Sequence, residues 1–409
     1  MIWLGEGQES DLSFMSQFDD PPTRRTVLRY AAGLAGAVVA ASIGEAAPIM
    51  TNSAPRFAYV GCRTSRERNA KGDGIGVYRI DGTGAWTRVQ LVAPLVNPSY
   101  LAFDRSGHTL YTVHGDGTEA SAFRVDAKSG QLSLLDKAPT GGCNPVHLMA
   151  DPSNRFAIVA NHIVRDGVKS GIASLPISKD GRLGAPIDVV AFDGAIGPHR
   201  VEQPFPKPHQ VEFDRSGRYV VVPDKGCDRV LVYTLDAAGK LHQLPNAAAP
   251  ARETSGPRHI AFHPGNRFAY LINELDSTIC CYRFDPATGD IRPFQIVSAL
   301  PDTFTGNSRG SEIAVSDDGR FVYASNRGHD SIALFAIDAG SGRLSAIDWV
   351  PSMGKTPRFF ALSPDGAALF VANEEGHNIV RYAIDQQSGR LSRPVVVTET
   401  GSPTSIVFA

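Results

Sequence analysis

From Pro98 onward one pattern of apolar and polar positions returns again and again. A proline-led apolar run is followed by a turn of Asp, Gly, Ser and Arg, then a second apolar run, a polar loop and two further runs. Asn97-Pro98-Ser99-Tyr100-Leu101-Ala102-Phe103 runs into Asp104-Arg105-Ser106-Gly107, and Asn144-Pro145-Val146-His147-Leu148 leads to Asp151-Pro152-Ser153-Asn154. Later copies open at Lys207-Pro208-His209, Gly256-Pro257-Arg258-His259, Gly310-Ser311-Glu312 and Thr356-Pro357-Arg358. The prolines 98, 145, 208, 257 and 357 stand 47, 63, 49 and 100 residues apart, the last gap holding two copies because Ser311 replaces one proline. Short apolar runs between turn residues read as strands. Four strands in a period near fifty residues read as blades of radial repetition.

Six complete copies lie between Pro98 and Pro394, whereas Arg56 to Leu91 supplies three strands without the proline-led one. Ser402-Pro403-Thr404-Ser405-Ile406-Val407-Phe408 supplies that strand at the other end. The expectation is an all-β, single seven-bladed β-propeller over residues 55–409, closed by its C-terminal strand, which removes the exposed sheet edges.

Residues 1–48 have a different pattern. Arg24-Arg25 precedes Val27-Leu28-Arg29, a mildly apolar stretch from Tyr30 to Ile43 and the small residues Ala46 and Ala47, after an acidic extension. This order reads as a signal peptide of the twin-arginine type, an address read by export machinery and too short to span a bilayer. A periplasmic or secreted location without stable membrane insertion follows as an expectation.

Composition adds exclusions. A formal net charge of −2 gives no reason to expect nucleic acid as a partner. The five cysteines form no Cys-x-x-Cys pair and read as buried free thiols, so no structural metal is expected. No strand-to-helix Gly-x-Gly-x-x-Gly turn supports a dinucleotide. Three tryptophans are too few for the repeated Trp docking of quinone-dependent propellers. No cofactor is expected, and the sequence leaves the oligomeric state open, a monomer being the simplest expectation.

In such a blade the start of the first strand and the end of the second meet on one face of the disc, around the central channel. The starts carry His147, His209, Arg258, His259, Glu312 and Arg358; the ends carry Asp224, Glu274, Asn326 with Arg327, and Asn373 with Glu374. A funnel with cations, carboxylates and imidazoles reads as an active site. Hydrogen-bonded ties between strands are the competing reading for each residue taken singly. His114, His162, His329 and His377 read as exposed loop residues.

The pairs Pro257-Arg258-His259 with Asn273-Glu274-Leu275, and Glu312-Ile313 with Asn326-Arg327-Gly328, followed by Pro357-Arg358-Phe359, resemble the seven-bladed propeller lactonase family. That family includes 6-phosphogluconolactonases and carboxymuconate-lactonising enzymes. The resemblance implies catalysis by His209, Arg258, Glu274 and Arg327, with His147, Asp224, His259, Glu312 and Arg358 binding a small lactone or carboxylate. In this scheme Glu274 or His209 is the base, Arg258 and Arg327 bind the oxyanion or a carboxylate, and Glu312 orients an arginine. The chain departs from the family in Val113-His114-Gly115, where an acidic residue is usual, and in extra residues 163–169 and 194–206 at the rim of the third blade. Lactone hydrolysis, lactone-forming cycloisomerisation and ligand or protein binding without catalysis all remain compatible with these residues.

Overall fold

The computed structural model describes residues 56–245 and 248–409; the twin-arginine motif lies outside them. Among the described residues the chain forms seven antiparallel sheets, each one blade. The first blade pairs Pro403–Phe408 with Phe57–Cys62, followed outward by Ile75–Ile80 and Trp86–Val92. Ala58 faces Phe408, Tyr59 faces Val407 and Val60 faces Ile406, so the chain ends complete one sheet as the repeat predicts.

The energetic reason for the ring lies between blades rather than within them. Each sheet buries both faces against its neighbours, and seven apolar clusters form, each shared by two adjacent blades. The cluster of Ala58, Val60 and Tyr78 with Phe370, Ala372 and Ile379 joins the seventh blade back to the first. Since no blade can bury its apolar faces alone, closure is a condition of stability.

Buried tyrosines in the second strands tie neighbours together. Tyr59, Tyr111, Tyr270 and Tyr323 donate their hydroxyls to the carbonyls of Gly130, Gly181, Gly342 and Gly389 in the next blade, at 2.8–3.0 Å. Gly130 adopts φ +74° and lies so close to the Phe57 ring that a Cβ would meet it at 2.4 Å. The recurring turns on this side, such as Asp126 accepting from the Ser129 amide at 2.7 Å, are therefore scaffold.

The fourth blade is irregular where the site lies. Only Glu212–Phe213 pairs regularly with Tyr219–Asp224 as its inner strand. The preceding stretch is held by a Pro208 to Asp224 bridge and by the His209 amide on the Pro223 carbonyl at 3.1 Å. All five cysteines are unbridged, and four of them are buried. Among the described residues no helix is long and apolar enough to cross a membrane.

Candidate active site

Strand alternation decides which residues reach the funnel. In the first and in the third to seventh blades the second strand ends in a pair of residues, mostly both polar, whose side chains point opposite ways. The first of each pair ties strands: Asn326 donates to the Ala299 carbonyl at 2.7 Å, and Asn373 to the Ser352 carbonyl at 3.0 Å. The second reaches inward, giving Arg63, Lys225, Glu274, Arg327 and Glu374 from five blades.

Asp224 belongs to the first class, which corrects its expected role in substrate binding. Its carboxylate is fully buried and accepts from the Lys207 and Gly226 amides at 2.7 and 3.0 Å and from Arg229 Nε at 3.1 Å. Lys225 takes the inward place instead. The sequence reading passed over it although it stands in register with Glu274 and Arg327.

Glu274 is the centre of a cationic wall. Lys225 Nζ lies 2.8 Å from Oε1, Arg258 Nε 3.4 Å from Oε2, and Arg327 and Arg309 reach Oε1 at 3.4 and 3.5 Å. Burial pushes the Glu274 carboxyl up, but Arg327, Lys225 and Arg258 together hold it well below the usual carboxylate range. A carboxylate so stabilised is a poor proton acceptor, so the geometry does not support Glu274 as the base. Arg258 also donates to the Ser311 carbonyl at 2.6 Å, and Arg327 to the Gly310 carbonyl at 3.0 Å, which fixes both guanidiniums.

The opposite wall is made of imidazoles. His209 Nδ1 lies 3.2 Å from His259 Nε2, and His259 Nδ1 lies 2.9 Å from Glu312 Oε1. Glu312 thus meets a histidine rather than orienting an arginine. Burial pushes the Glu312 carboxyl up to about 8, only partly offset by Arg258 and by the Ile313 amide, which favours its protonated form. Burial first, and Arg258 next, keep His209 and His259 well below their usual value and hence neutral.

Hydrogen-bond logic then assigns the protons. Glu312 Oε1 accepts from the Ile313 amide at 3.2 Å and acts as the carbonyl oxygen, so His259 Nδ1 donates to it. His259 Nε2 is the acceptor for His209 Nδ1, which leaves His209 Nε2 with a free lone pair. The acid proton of Glu312 sits on Oε2, which has no protein partner.

His209, His259, Glu312, Arg258, Arg358 and Tyr100 line an inner pocket of about 20 Å³, room for about one water. Above it a chamber of about 600 Å³ is lined by Arg63, Arg68, Arg327, Lys355, Arg358 and Glu374, among others. Glu374 bridges Arg63 at 3.2 Å and Arg358 at 3.4 Å. Glu374 is one of the expected funnel-facing residues, given no role there, whereas Arg63 was not expected although it occupies the same inward position that Glu274 marks.

His147 is fully buried behind the pocket wall, its ring 4.0 Å from that of Tyr100 and 5.8 Å from that of His259, so it supports the wall and does not meet the pocket. His114 and His162 are not exposed loop residues. His114 is buried, Nε2 on the Ser121 hydroxyl at 2.7 Å, and His162 packs on the His209 ring at 5.0 Å. His329 and His377 lie in turns and are half-buried.

A closed seven-bladed propeller with a proton-carrying imidazole wall facing an arginine wall defines a channel-centred enzyme of the lactonase class. The chain belongs to that family: residues 57–408 match the model described as lactonase, 7-bladed beta-propeller. The 6-phosphogluconolactonase of Bacillus subtilis is 37% identical over 309 residues, covering 74% of this chain and 83% of that protein. The 6-phosphogluconolactonase of Erwinia tasmaniensis is 30% identical over 281 residues, covering 68% and 78% respectively. Among solved structures, the periplasmic gluconolactonase of Pseudomonas aeruginosa superposes with a TM-score of 0.79 at 31% identity, covering 86% of this chain and 98% of that one.

Proposed function

We propose that this protein hydrolyses a small lactone, of a sugar or an organic acid, in the central funnel. The observation that carries this reading is the chain His209, His259, Glu312, which ends in the inner pocket beside Arg258 and Arg358. His209 Nε2 takes a proton from water as the water oxygen bonds to the lactone carbonyl carbon. Arg258 and Arg358 stabilise the oxyanion that forms. The ring C–O bond then breaks, and Glu312 Oε2–H protonates the departing alkoxide. His209 Nε2 then releases its proton to solvent and Glu312 Oε2 takes one up, which restores both groups with His259 held between them. The product acid ionises, so each turnover releases one proton to solvent.

A cycloisomerase running in the lactone-forming direction would use the same arginines to grip carboxylates. Assay of the purified protein against sugar and aromatic-acid lactones with a pH indicator, beside an unsaturated dicarboxylate, separates the two. Acid release from a lactone is the expected result, and its absence across the panel would reject hydrolysis.

Export through a twin-arginine pathway is part of the same reading, supported by Arg24-Arg25 with the short apolar stretch behind it and by likeness to a relative named as periplasmic. Changing both arginines to lysine should retain the protein in the cytoplasm. Continued export of that variant would reject this pathway.

A further inference from the structure

The segment 194–206, an extra loop between the third and fourth blades, is built into the site. Gln203 is fully buried and donates Nε2 to the Lys225 carbonyl at 2.9 Å. The Gly197 amide donates to the Gly226 carbonyl at 2.8 Å. The backbone passes so near Gly226 that a Cβ there would meet the Phe205 carbonyl oxygen at 1.9 Å. These contacts fix one side chain over the cationic wall. Glu202 Oε2 lies 2.9 Å from Lys225 Nζ, and its Oε1 lies 2.8 Å from Arg309 Nη2 at the start of the sixth blade.

Lys225 and Arg309 both also reach Glu274. Without Glu202, four cations would share one carboxylate, and Lys225 and Arg309, the two that Glu202 now bridges, would present the convergent N–H donors that a phosphate needs. Against the upward push of burial, hydrogen bonds from Lys225 and Arg309 hold Glu202 down at about 2, so it is an anion at every working pH. On the facing wall Arg63 and Arg358 are likewise occupied, by Glu374. Each of these funnel cations therefore already has a carboxylate of the chain itself.

We infer that Glu202 is a specificity-determining residue, an anion supplied by the protein where the phosphate of a phosphorylated lactone would otherwise be held, so that the funnel selects lactones without phosphate. This rests on the lactone-opening reading for its substrate class, while the anion site rests on geometry alone. A phosphorylated substrate must displace Glu202 or meet its charge, and an uncharged sugar lactone does neither.

The test pairs a binding measurement with a selectivity measurement. Inorganic phosphate is titrated calorimetrically into the wild type, Glu202→Gln and the double variant Glu202→Gln with Arg309→Gln. Glu202→Gln should bind phosphate about tenfold more tightly or better, the worth of roughly one charge-assisted hydrogen bond. The double variant should lose that gain. In parallel, the ratio of kcat/KM for 6-phosphogluconolactone to that for gluconolactone should be low in the wild type and rise by about the same factor in Glu202→Gln.

Equal phosphate affinity in the wild type and Glu202→Gln would overturn the inference, as would a wild type that prefers the phosphorylated lactone. If no lactone is opened but Glu202→Gln gains phosphate affinity, the lactone reading has failed and the anion site stands. Should Glu202→Gln not fold, Glu202→Asp, which keeps the charge but withdraws it from Arg309, is read the same way in smaller measure.

Discussion

Glu274 and Glu312 are the same side chain at nearly the same depth, 5% and 7% exposed, on opposite walls of one funnel. Glu274 is ringed by Lys225, Arg258, Arg309 and Arg327 and stays ionised far below its usual range. Glu312 has no ion pair with a cation, meeting the neutral His259 and the Ile313 amide, and burial, partly offset by Arg258, raises it to about 8. Burial is the leading influence on both, and the neighbours decide which way the proton goes. The comparison assigns two duties: one carboxylate holds arginines in place, and the other stores a proton.

The largest expected effect comes from removing the ionised member. Glu274→Gln leaves four cations without their shared anion and should cost about 3–5 kcal/mol, the usual range for breaking a buried ion pair. Urea unfolding measures this directly, and an unchanged midpoint would break the comparison. The sign with pH follows from the depressed carboxyl. Its stabilisation is present above the unfolded value of 4.5 and is lost as pH falls below it. Glu312 behaves oppositely, since the folded state keeps a proton that the unfolded chain loses, so its contribution declines as pH rises from 4.5 toward about 8.

Arg258→Ala should reduce turnover by about 10²–10³, the typical cost of losing one oxyanion donor. Circular dichroism and melting establish that the variant folds, because its bond to the Ser311 carbonyl also ties the fifth blade to the sixth. Glu312→Gln sharpens the contrast more finely. The wild-type kcat/KM should fall above about pH 8 as the acid proton is lost, with Arg258 and His259 the facing groups. In Glu312→Gln that limb should vanish along with most of the rate, and a limb that persists would assign it to another group. The smallest change is at Asp224→Asn, which weakens ties to Lys207, Gly226 and Arg229 and should cost on the order of 1 kcal/mol in a thermal melt. Its kcat/KM should stay within experimental scatter.

The ring was legible because its determinants are periodic. Pro98, Pro145, Pro208, Pro257 and Pro357 mark inner strands, and the unpaired run at Pro403 has one place to go. The funnel was legible by position but not by side-chain direction. Asp224 and Lys225 are neighbours in sequence, and strand alternation sends only Lys225 inward. The same rule applied to Cys62-Arg63 and Asn373-Glu374 finds Arg63 and Glu374. Glu202 lay beyond any rule of this kind, since a non-repeating loop carries it to Arg309 of a distant blade. The duties of Glu274 and Glu312 depend on how many cations surround each, a three-dimensional quantity that spacing does not encode.

The central claim is that His209 accepts the proton of the attacking water, with His259 and Glu312 behind it. Single-turnover opening of a confirmed lactone by His209→Ala tests it most directly. The account predicts a folded protein whose chemical step is slowed by about 10²–10⁴, the range for loss of a positioned base. A folded His209→Ala that opens the lactone at the wild-type rate would contradict it.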